Sequence, residues 1–399
     1  MPKHNAHGKD ISLIENAAVV TPYRIIEHGS VLIQEGMIAD IRQGGVRQTT
    51  ERASRGKLNA KGKIVIPGMI DIHTHGLNGG SALSGGIESI KKMASSFPRH
   101  GVTSFLPTTG VEPNEMLLST TRAVAGLIGS EVVSDEAEVL GMNLEGPYLS
   151  RTKLGAQPVD FIRDPSIDEF DLIYDESGRN VKLITIAPEV PGALEFIKRV
   201  KAKGVTVAAG HSNATYEEML AAINAGVTHA SHTFNAMRDF KQRDPGILAA
   251  VLVRDDVTAE LIADNVHVHE GAMRLLIKTK GAEKVVLISD SIPPAGMPDG
   301  KYSLMGFSVE LKNGVCTLPT GQLAGSTVTL DRSLRVLVTS LGLPLQQAVK
   351  MATINPAKVI GVDARKGSIE KGKDADLVIL NQEDLSIYAT IIKGQLLQH

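Results

Sequence analysis

The alternation of hydrophobic and polar positions divides the chain into three structured parts and one polar link. Residues 11–42 hold short apolar runs separated by glycine-containing turns, a pattern that predicts strands. Residues 43–62 are polar and predict a link. From residue 64 onwards, apolar runs of strand length alternate with amphipathic stretches of helical period. Residues 367–397 return to short strands in the style of the first part.

The middle part repeats one strand-and-helix unit eight times, with about 25 to 45 residues per unit. The predicted strands are residues 64–72, 102–107, 139–144, 181–186, 205–209, 227–230, 257–262 and 284–288. The predicted helices include residues 87–97, 115–128, 192–203, 216–225, 271–280, 329–341 and 345–353. A turn signal at Asn313-Gly314 predicts a β excursion over residues 300–321, after the eighth strand.

Eight such units predict the α/β class and a TIM-like (β/α)8 barrel, here residues 63–359. Because the two chain ends share the same short-strand pattern, we expect them to form one small β-sandwich domain. Its predicted extent is residues 1–62 together with residues 360–399.

Composition excludes several classes of protein. A chain of 399 residues with a net charge of −2 and no basic block does not suit nucleic-acid binding. The longest apolar runs are of strand length, too short for a membrane span. The first ten residues lack the apolar segment of a signal peptide. Cys316 is the single cysteine, and this excludes an intrachain disulfide and a cysteine metal cluster. We therefore expect a cytoplasmic protein that acts without nucleic acid or membrane partners.

Candidate chemistry lies where the predicted strands end. In a barrel of this kind the residues that follow each strand share one rim, where active sites form. The polar residues at those positions are His73, His75, Glu145, His211, His229, His232, Asp264, His267, His269 and Asp290. A single histidine there is more often structural, but metal-type ligands from several independent strands at one rim indicate a metal site. Histidine and carboxylate without thiolate suit Zn²⁺, Fe²⁺, Mn²⁺ or Co²⁺.

Five motifs carry a resemblance to a known family. They are Pro67-Gly-Met-Ile-Asp-Ile-His-Thr-His, Asn143-Leu-Glu-Gly-Pro, Gly210-His-Ser-Asn-Ala, His232-Thr-Phe-Asn-Ala-Met and Ile288-Ser-Asp-Ser. The His-x-His pair and the late aspartate resemble the amidohydrolase superfamily of metal-dependent hydrolases. The Leu-Glu-Gly-Pro and His-Thr-Phe-Asn-Ala-Met motifs are narrower and resemble the N-acetylglucosamine-6-phosphate deacetylase family. The resemblance extends over nearly the whole chain.

The resemblance implies an enzyme that removes the acetyl group from N-acetylglucosamine 6-phosphate, giving glucosamine 6-phosphate and acetate. It implies that Glu145, His211 and His232 hold the catalytic divalent ion. His73 and His75 would hold a second ion with Glu145 as the bridge, so that each chain binds one or two ions. By the same resemblance, Asp290 would act as the general base and acid.

Substrate contacts also follow from the resemblance. Asn235 and Ala236 would hold the phosphate, and Arg243 would pair with it from the neighbouring subunit, which implies a homodimer. A guanidinium suits the oxygens of a phosphate well. His267 would contact the sugar hydroxyls, and His269 would not be a ligand.

Ala156 and Gln157 are expected beside the substrate in the same family pattern. Gln157 occupies a position where some members carry a histidine near the carbonyl oxygen. A glutamine donates a hydrogen bond but cannot become cationic, so the role of this residue stays open.

Three alternatives remain. The C4 epimer, N-acetylgalactosamine 6-phosphate, could be the substrate. Another amidohydrolase activity, of the dihydroorotase or dipeptidase type, would leave the narrow motifs unexplained. A non-catalytic scaffold would be expected to lose the residues of the metal site. This chain keeps all six of them, namely His73, His75, Glu145, His211, His232 and Asp290.

Overall fold

A nearly closed barrel of parallel strands carries the rim at which the candidate residues lie. The computed structural model describes residues 9–44, 56–83, 86–129 and 135–398. The barrel strands, numbered first to eighth in chain order, are Met69–Thr74, Val102–Thr109, Met142–Glu145, Val181–Ile186, Thr206–Ala209, His229–Ala230, Thr258–Ile262 and Val285–Ile288. Each pairs in parallel with the next, which confirms the predicted α/β barrel.

The first and eighth barrel strands meet at their carboxyl ends rather than along a ladder. The backbone N–H of Asp290 donates to the carbonyl of His73 at 2.9 Å, and that of His75 donates to the carbonyl of Ser291 at 2.7 Å. These bonds join the two segments that carry the candidate chemistry.

The helices follow the strands and cover the outside of the barrel. The α-helices are Ile87–Ser96, Asn114–Ala125, Ile167–Glu176, Ala193–Ala202, Tyr216–Ala225, Gly246–Val253, Glu270–Lys280, Leu330–Arg335, Leu345–Ala352 and Ile354–Val359. Short 3₁₀ turns are Phe97–His100, Val159–Phe161 and Ala282–Lys284, and Val336–Ser340 is a π turn. Among the described helices, none combines the length and the apolar composition that a membrane span requires.

One predicted barrel strand is in fact two strands of different sheets. Lys63–Pro67 pairs with Leu13–Val20 and Leu377–Asn381, whereas Met69–Thr74 pairs with the second barrel strand. The prediction of a single strand at residues 64–72 was wrong because the apolar run continues unbroken through both sheets. Gly68 lies between them and packs so closely on Thr103 that a Cβ would overlap it.

The chain ends form a separate sheet of nine strands. They are Lys9–Asp10, Leu13–Val20, Ile25–Gln34, Met37–Gln43, Lys57–Asn59, Lys63–Pro67, Leu377–Asn381, Ile387–Ile392 and Gln395–Gln398. Lys63–Pro67 lies between an N-terminal and a C-terminal strand, and therefore joins both ends into one continuous sheet. The division into residues 1–62 with 360–399 and residues 63–359 stays a prediction. Residues 1–8 and 45–55, which include part of the predicted link, lie outside the described residues.

The predicted excursion after the eighth strand is confirmed as a three-stranded antiparallel sheet, Gly300–Leu304, Phe307–Lys312 and Val315–Thr317. Shorter strands are Gly76–Leu77, Gly80–Ser81 and Glu138–Val139. Leu304, at the end of the first strand of this excursion, and Leu323, which follows the excursion, line a cavity together with residues of the barrel rim.

A buried lysine joins the terminal sheet to the barrel. Nζ of Lys366 lies 2.5 Å from Asp376, 2.8 Å from Glu138 and 3.0 Å from Asp374. Glu138 belongs to a strand that pairs with the second barrel strand, whereas Asp376 precedes a strand of the terminal sheet. The lysine therefore neutralises carboxylates contributed by both units.

Replacing Lys366 with methionine should lower the free energy of unfolding by about 3 to 5 kcal/mol, because it leaves Asp376 buried without its cation, whereas Glu138 and Asp374 keep Arg365 as a partner. Urea denaturation of the variant and its parent measures the loss. Lys358→Met, at an exposed position nearby, should change stability by less than about 0.5 kcal/mol. Equal stability of Lys366→Met and its parent would contradict this role.

Candidate metal and substrate site

Six predicted residues meet in one buried cluster at the carboxyl ends of the barrel strands. One lies near the end of the first strand and one directly follows it, one ends the third, and one follows each of the fifth, sixth and eighth strands. Each is at most 9% exposed. They are His73, His75, Glu145, His211, His232 and Asp290.

Glu145 lies at the centre of this cluster. Its Oε1 is 2.8 Å from Nε2 of His232, 3.1 Å from Nε2 of His211 and 3.3 Å from Nε2 of His73. Its Oε2 is 3.3 Å from Nε2 of His75. One carboxylate thus contacts all four imidazoles, each through the same ring nitrogen.

Three of the four imidazoles are oriented by a hydrogen bond at their other nitrogen. In each case Nδ1–H donates to an oxygen 2.9 Å away. The acceptors are Oε2 of Glu260 for His73, the carbonyl of Thr108 for His75 and the carbonyl of Lys153 for His211. In a neutral imidazole with its proton on Nδ1, the lone pair is on Nε2, which here points towards Glu145.

The charges in the cluster favour a cation. Burial alone would lower the pKa of His73, but Glu260 and Glu145 outweigh it and raise that pKa well above its usual range. For His75, burial likewise opposes Asp290 and Glu145, which together raise its pKa to about 9. A divalent cation would displace these protons and take over their charge.

The donors present fit a divalent metal ion. Two compact groups of possible ligands share one histidine: His73 with Glu145 and His232, and His73 with His75 and Asp290. Within the described residues, Nε2 of His73 is a buried nitrogen without a hydrogen-bond partner. Imidazole and carboxylate donors at such spacing suit Zn²⁺, Fe²⁺, Mn²⁺ or Co²⁺. His211, which the resemblance adds to the first group, contacts the same carboxylate oxygen, Oε1 of Glu145.

Three residues of the cluster have a strained backbone. His211, His232 and Asp290 have φ angles of 46°, 26° and 48°. Each lies two residues after the end of its barrel strand. Such angles are unfavourable for residues other than glycine, and strain of this kind is concentrated at functional sites. The turn at these three strand ends aims the side chains across the rim.

A cavity of about 260 Å³ opens above the cluster. His75, Glu145, His211, His232 and Asp290 contribute to its wall. Five of the six residues predicted to contact substrate also line it, namely Ala156, Gln157, Asn235, Ala236 and His267. The sixth, Arg243, does not line the cavity and is exposed on the loop that follows the sixth strand.

His267 presents one ring nitrogen to the cavity. Its Nδ1–H donates to Oδ2 of Asp264 at 2.7 Å, and its Nε2 is buried with no protein partner among the described residues. This nitrogen is therefore available to a ligand. His269 instead caps the helix Glu270–Lys280, where its Nδ1 accepts from the N–H of Gly271 at 3.1 Å.

Gln157 contacts the cluster directly. Its Nε2 donates to Oε2 of Glu145 at 2.6 Å, and its Oε1 accepts from the N–H of Val111 at 2.9 Å. The amide is therefore held in one orientation and restrains the central carboxylate while it lines the cavity.

Glu260 is completely buried in the seventh strand and was not predicted from the sequence as a residue of the site. It contacts His73, and also Nε2 of His229 at 3.1 Å. A signal was present: a glutamate within an apolar strand needs buried partners. His229, at the start of the sixth strand, lies against this glutamate.

Comparison with known proteins places the chain in a family. Residues 64–397 match the amidohydrolase family. The chain is 35% identical over 384 residues to the N-acetylglucosamine-6-phosphate deacetylase of Lysinibacillus sphaericus, covering 96% of this chain and 97% of the relative. It is 37% identical over 366 residues to the N-acetylgalactosamine-6-phosphate deacetylase of Escherichia coli O157:H7, covering 91% and 93%.

A solved structure shows the same architecture. It is a mutant N-acetyl-D-glucosamine-6-phosphate deacetylase of Mycobacterium smegmatis in complex with N-acetyl-D-glucosamine-6-phosphate. The TM-score is 0.90 at 31% identity, covering 98% of this chain and 99% of the other. The chain described here therefore belongs to the amidohydrolase family, whose members are metal-dependent hydrolases.

Proposed function

We propose that this chain removes the acetyl group from N-acetylglucosamine 6-phosphate, producing glucosamine 6-phosphate and acetate. The observation that carries the proposal is the convergence of Glu145, four imidazoles and Asp290 around one cavity. The substrate follows from the relatives, which are named for deacetylation of phosphorylated N-acetyl sugars.

The chemistry divides between the ion site and the side chains around it. One or two divalent ions held by Glu145 and the histidines would activate a water molecule and polarise the amide carbonyl. Asp290 takes a proton as the water oxygen bonds to the carbonyl carbon. It then passes that proton to the sugar nitrogen, so that the C–N bond breaks with an amine as the leaving group. Acetate is the second product.

The cavity wall orients the substrate. His267 accepts a hydrogen bond from a sugar hydroxyl through Nε2, because Asp264 holds the proton-bearing Nδ1. Asn235 and Ala236 bind the phosphate beside His232. Gln157 keeps Glu145 in place and borders the acetyl group.

An assay of acetate release from both epimers tests the proposal. The purified enzyme, supplied with Zn²⁺, Fe²⁺, Mn²⁺ or Co²⁺ in turn, should hydrolyse N-acetylglucosamine 6-phosphate and lose activity when a chelator removes the metal. A higher kcat/KM for N-acetylgalactosamine 6-phosphate would assign the chain to the sister activity. No acetate from either sugar phosphate would refute the proposal.

We further infer a homodimer in which Arg243 reaches the phosphate bound in the neighbouring subunit. Its position supports this, since Arg243 is exposed and lies outside the cavity of its own chain. It shares a loop with Phe240, an aromatic side chain that is 59% exposed. A second copy that covered this loop would bury the aromatic ring and bring the guanidinium to a ligand.

Arg243→Ala should lower kcat/KM for the phosphorylated sugar by about 30- to 150-fold, equivalent to ~2 to 3 kcal/mol for a charge-assisted contact. Activity on unphosphorylated N-acetylglucosamine, already low, should not change. Arg332→Ala removes an exposed arginine that does not line the cavity and should match the parent. An unchanged preference for the phosphorylated sugar would show that Arg243 is an ordinary surface charge.

A further inference from the structure

The seventh barrel strand holds a buried charge that the proposed reaction does not use. The strand Thr258–Ile262 reads Thr-Ala-Glu-Leu-Ile, and Glu260 at its centre is 0% exposed. A carboxylate at such a position is costly unless it is paired and hydrogen-bonded. Its partners therefore indicate why the chain keeps it there.

Both oxygens of Glu260 accept hydrogen bonds from residues of the cluster or beside it. Oε2 accepts from Nδ1 of His73 at 2.9 Å and from the backbone N–H of His232 at 2.8 Å. Oε1 accepts from Nε2 of His229 at 3.1 Å. Nδ1 of His229 lies 2.6 Å from Oγ1 of Thr258, which begins the strand that contains Glu260 and points to the same face of it.

The bond to His73 differs in kind from those that orient the other two imidazoles. His75 and His211 donate to backbone carbonyls, whereas His73 donates to a carboxylate. A carboxylate behind a ligating histidine fixes the ring orientation and makes the other nitrogen more basic. Nε2 of His73 therefore points towards Glu145, and its lone pair becomes a stronger ligand for a metal ion.

Glu260 also adds a negative charge close to the site. Glu145 and Asp290 supply two carboxylates, which two divalent ions would exceed in charge. Glu260 is a third carboxylate, separated from the site by one imidazole. It makes the local charge more negative and therefore favours the binding of a second cation. Its second bond, to the backbone of His232, restrains a ligand whose φ angle of 26° is strained.

We propose that Glu260 is a positioning residue that holds His73 for a second divalent ion, so that binding two ions depends on a residue that is not itself a ligand. The proposal rests on the metal centre of the proposed function and extends it. In this arrangement His229 fixes the carboxylate, the carboxylate fixes His73, and His73 holds the ion together with His75.

The test substitutes glutamine for Glu260 and counts ions. Glutamine carries no negative charge and presents one acceptor oxygen and an NH₂ group, so Nδ1–H of His73 would face either a donor or a weaker, neutral acceptor. Parent and variant are loaded with Co²⁺, dialysed and assayed for ions per chain by mass spectrometry, and competition with a chelator gives each affinity. The visible spectrum of bound Co²⁺ reports its ligand geometry.

The parent should bind two ions, and Glu260→Gln should bind one of them about 10- to 100-fold more weakly, the range typical for loss of a residue that orients a metal ligand. The other ion should keep its affinity, and excess Co²⁺ should restore part of the lost activity. Asp331→Asn is the matched control, because this buried carboxylate also faces a histidine, His100, at 3.3 Å but outside the cluster. It should lose stability and still bind two ions.

A weaker affinity for only one of the two ions distinguishes a positioning role of Glu260 from a purely structural one. If Glu260→Gln binds both ions with the parent's affinity, or weakens both equally, the proposal is overturned. Should the glutamine variant fail to fold, Glu260→Asp, which keeps the charge on a shorter side chain, must show the same selective weakening. A parent that binds a single ion also overturns the proposal. The acetate assay judges the proposed function separately, because it uses the parent enzyme alone.

Discussion

Asp290→Asn should lower kcat/KM for acetyl release by about 100-fold or more, the scale expected when general acid–base help is lost. The carboxylate lies where it can exchange a proton with water at the cluster, with Oδ1 3.3 Å from Nε2 of His75 and 3.7 Å from Nε2 of His73. An amide of almost the same shape cannot accept that proton. Substrate should still bind, and metal content should match that of the parent.

If Asp290 served only to hold its turn, the substitution would lower the melting temperature and leave turnover per folded molecule near normal. The turn at this residue is held by its backbone, whose N–H donates to His73 and whose carbonyl accepts from the N–H of Ser326 at 3.0 Å. Asparagine also tolerates the left-handed φ of 48° found here. The substitution should therefore preserve the fold. Melting temperature, metal content and turnover measured on one preparation distinguish the two roles.

Asp299→Asn is the control within the same loop. Its carboxylate accepts from the backbone N–H of Asn313, and the residue does not line the cavity. Normal turnover of Asp290→Asn per folded molecule, combined with a lower melting temperature, would remove Asp290 from the mechanism.

The sequence predicted the rim because barrel geometry converts position along the chain into position in space. A histidine or carboxylate just after a buried strand must lie at the carboxyl end of the barrel, whatever the rest of the fold does. His73, Glu145 and His211 belong to strands far apart in the chain, yet the apolar run before each one was enough to bring them together in the prediction.

Other features were hidden because periodicity carries no information about them. The apolar run on either side of Gly68 is shared by two sheets, and hydrophobicity alone cannot show where the chain passes from one to the other. The helix Gly246–Val253 is buried on nearly all sides, so it lacks the polar face that identifies a helix in sequence. Ile167–Glu176 and Ile354–Val359 were also not predicted.

Glu260 shows a limit of another kind. The rule that active-site residues follow strands directs attention beyond the strand end, whereas this glutamate lies within the strand and acts on residues of its neighbours. Its partners come from the sixth strand, which is its neighbour in the sheet, and from the first strand, which is far away in the chain and is brought to it by the barrel. A charged residue inside an apolar strand was the local sign.

Removal of the central carboxylate should have the largest effect on the metal centre. Glu145→Gln should retain neither ion and should reduce acetate release to background, because Glu145 contacts the imidazoles of both candidate groups. A glutamine offers one neutral oxygen in place of two charged ones, and its NH₂ group would face imidazole nitrogens that must themselves remain free to bind metal.

The double variant His73→Ala with His75→Ala provides the comparison, since it removes one pair and leaves Glu145, His211 and His232 in place. It should lose one ion and keep the other, whereas Glu145→Gln should lose both. Ion content measured by mass spectrometry after identical loading and dialysis gives the two values directly.

If Glu145→Gln kept one ion with the parent's affinity, this carboxylate would belong to a single ion. If the double variant kept both, the second ion would not depend on the His-x-His pair. The contrast between these two variants follows from one feature of the geometry: Oε1 of Glu145 lies within 3.1 Å of the imidazoles of His211 and His232, whereas Oε2 lies 3.3 Å from that of His75, which follows a different strand.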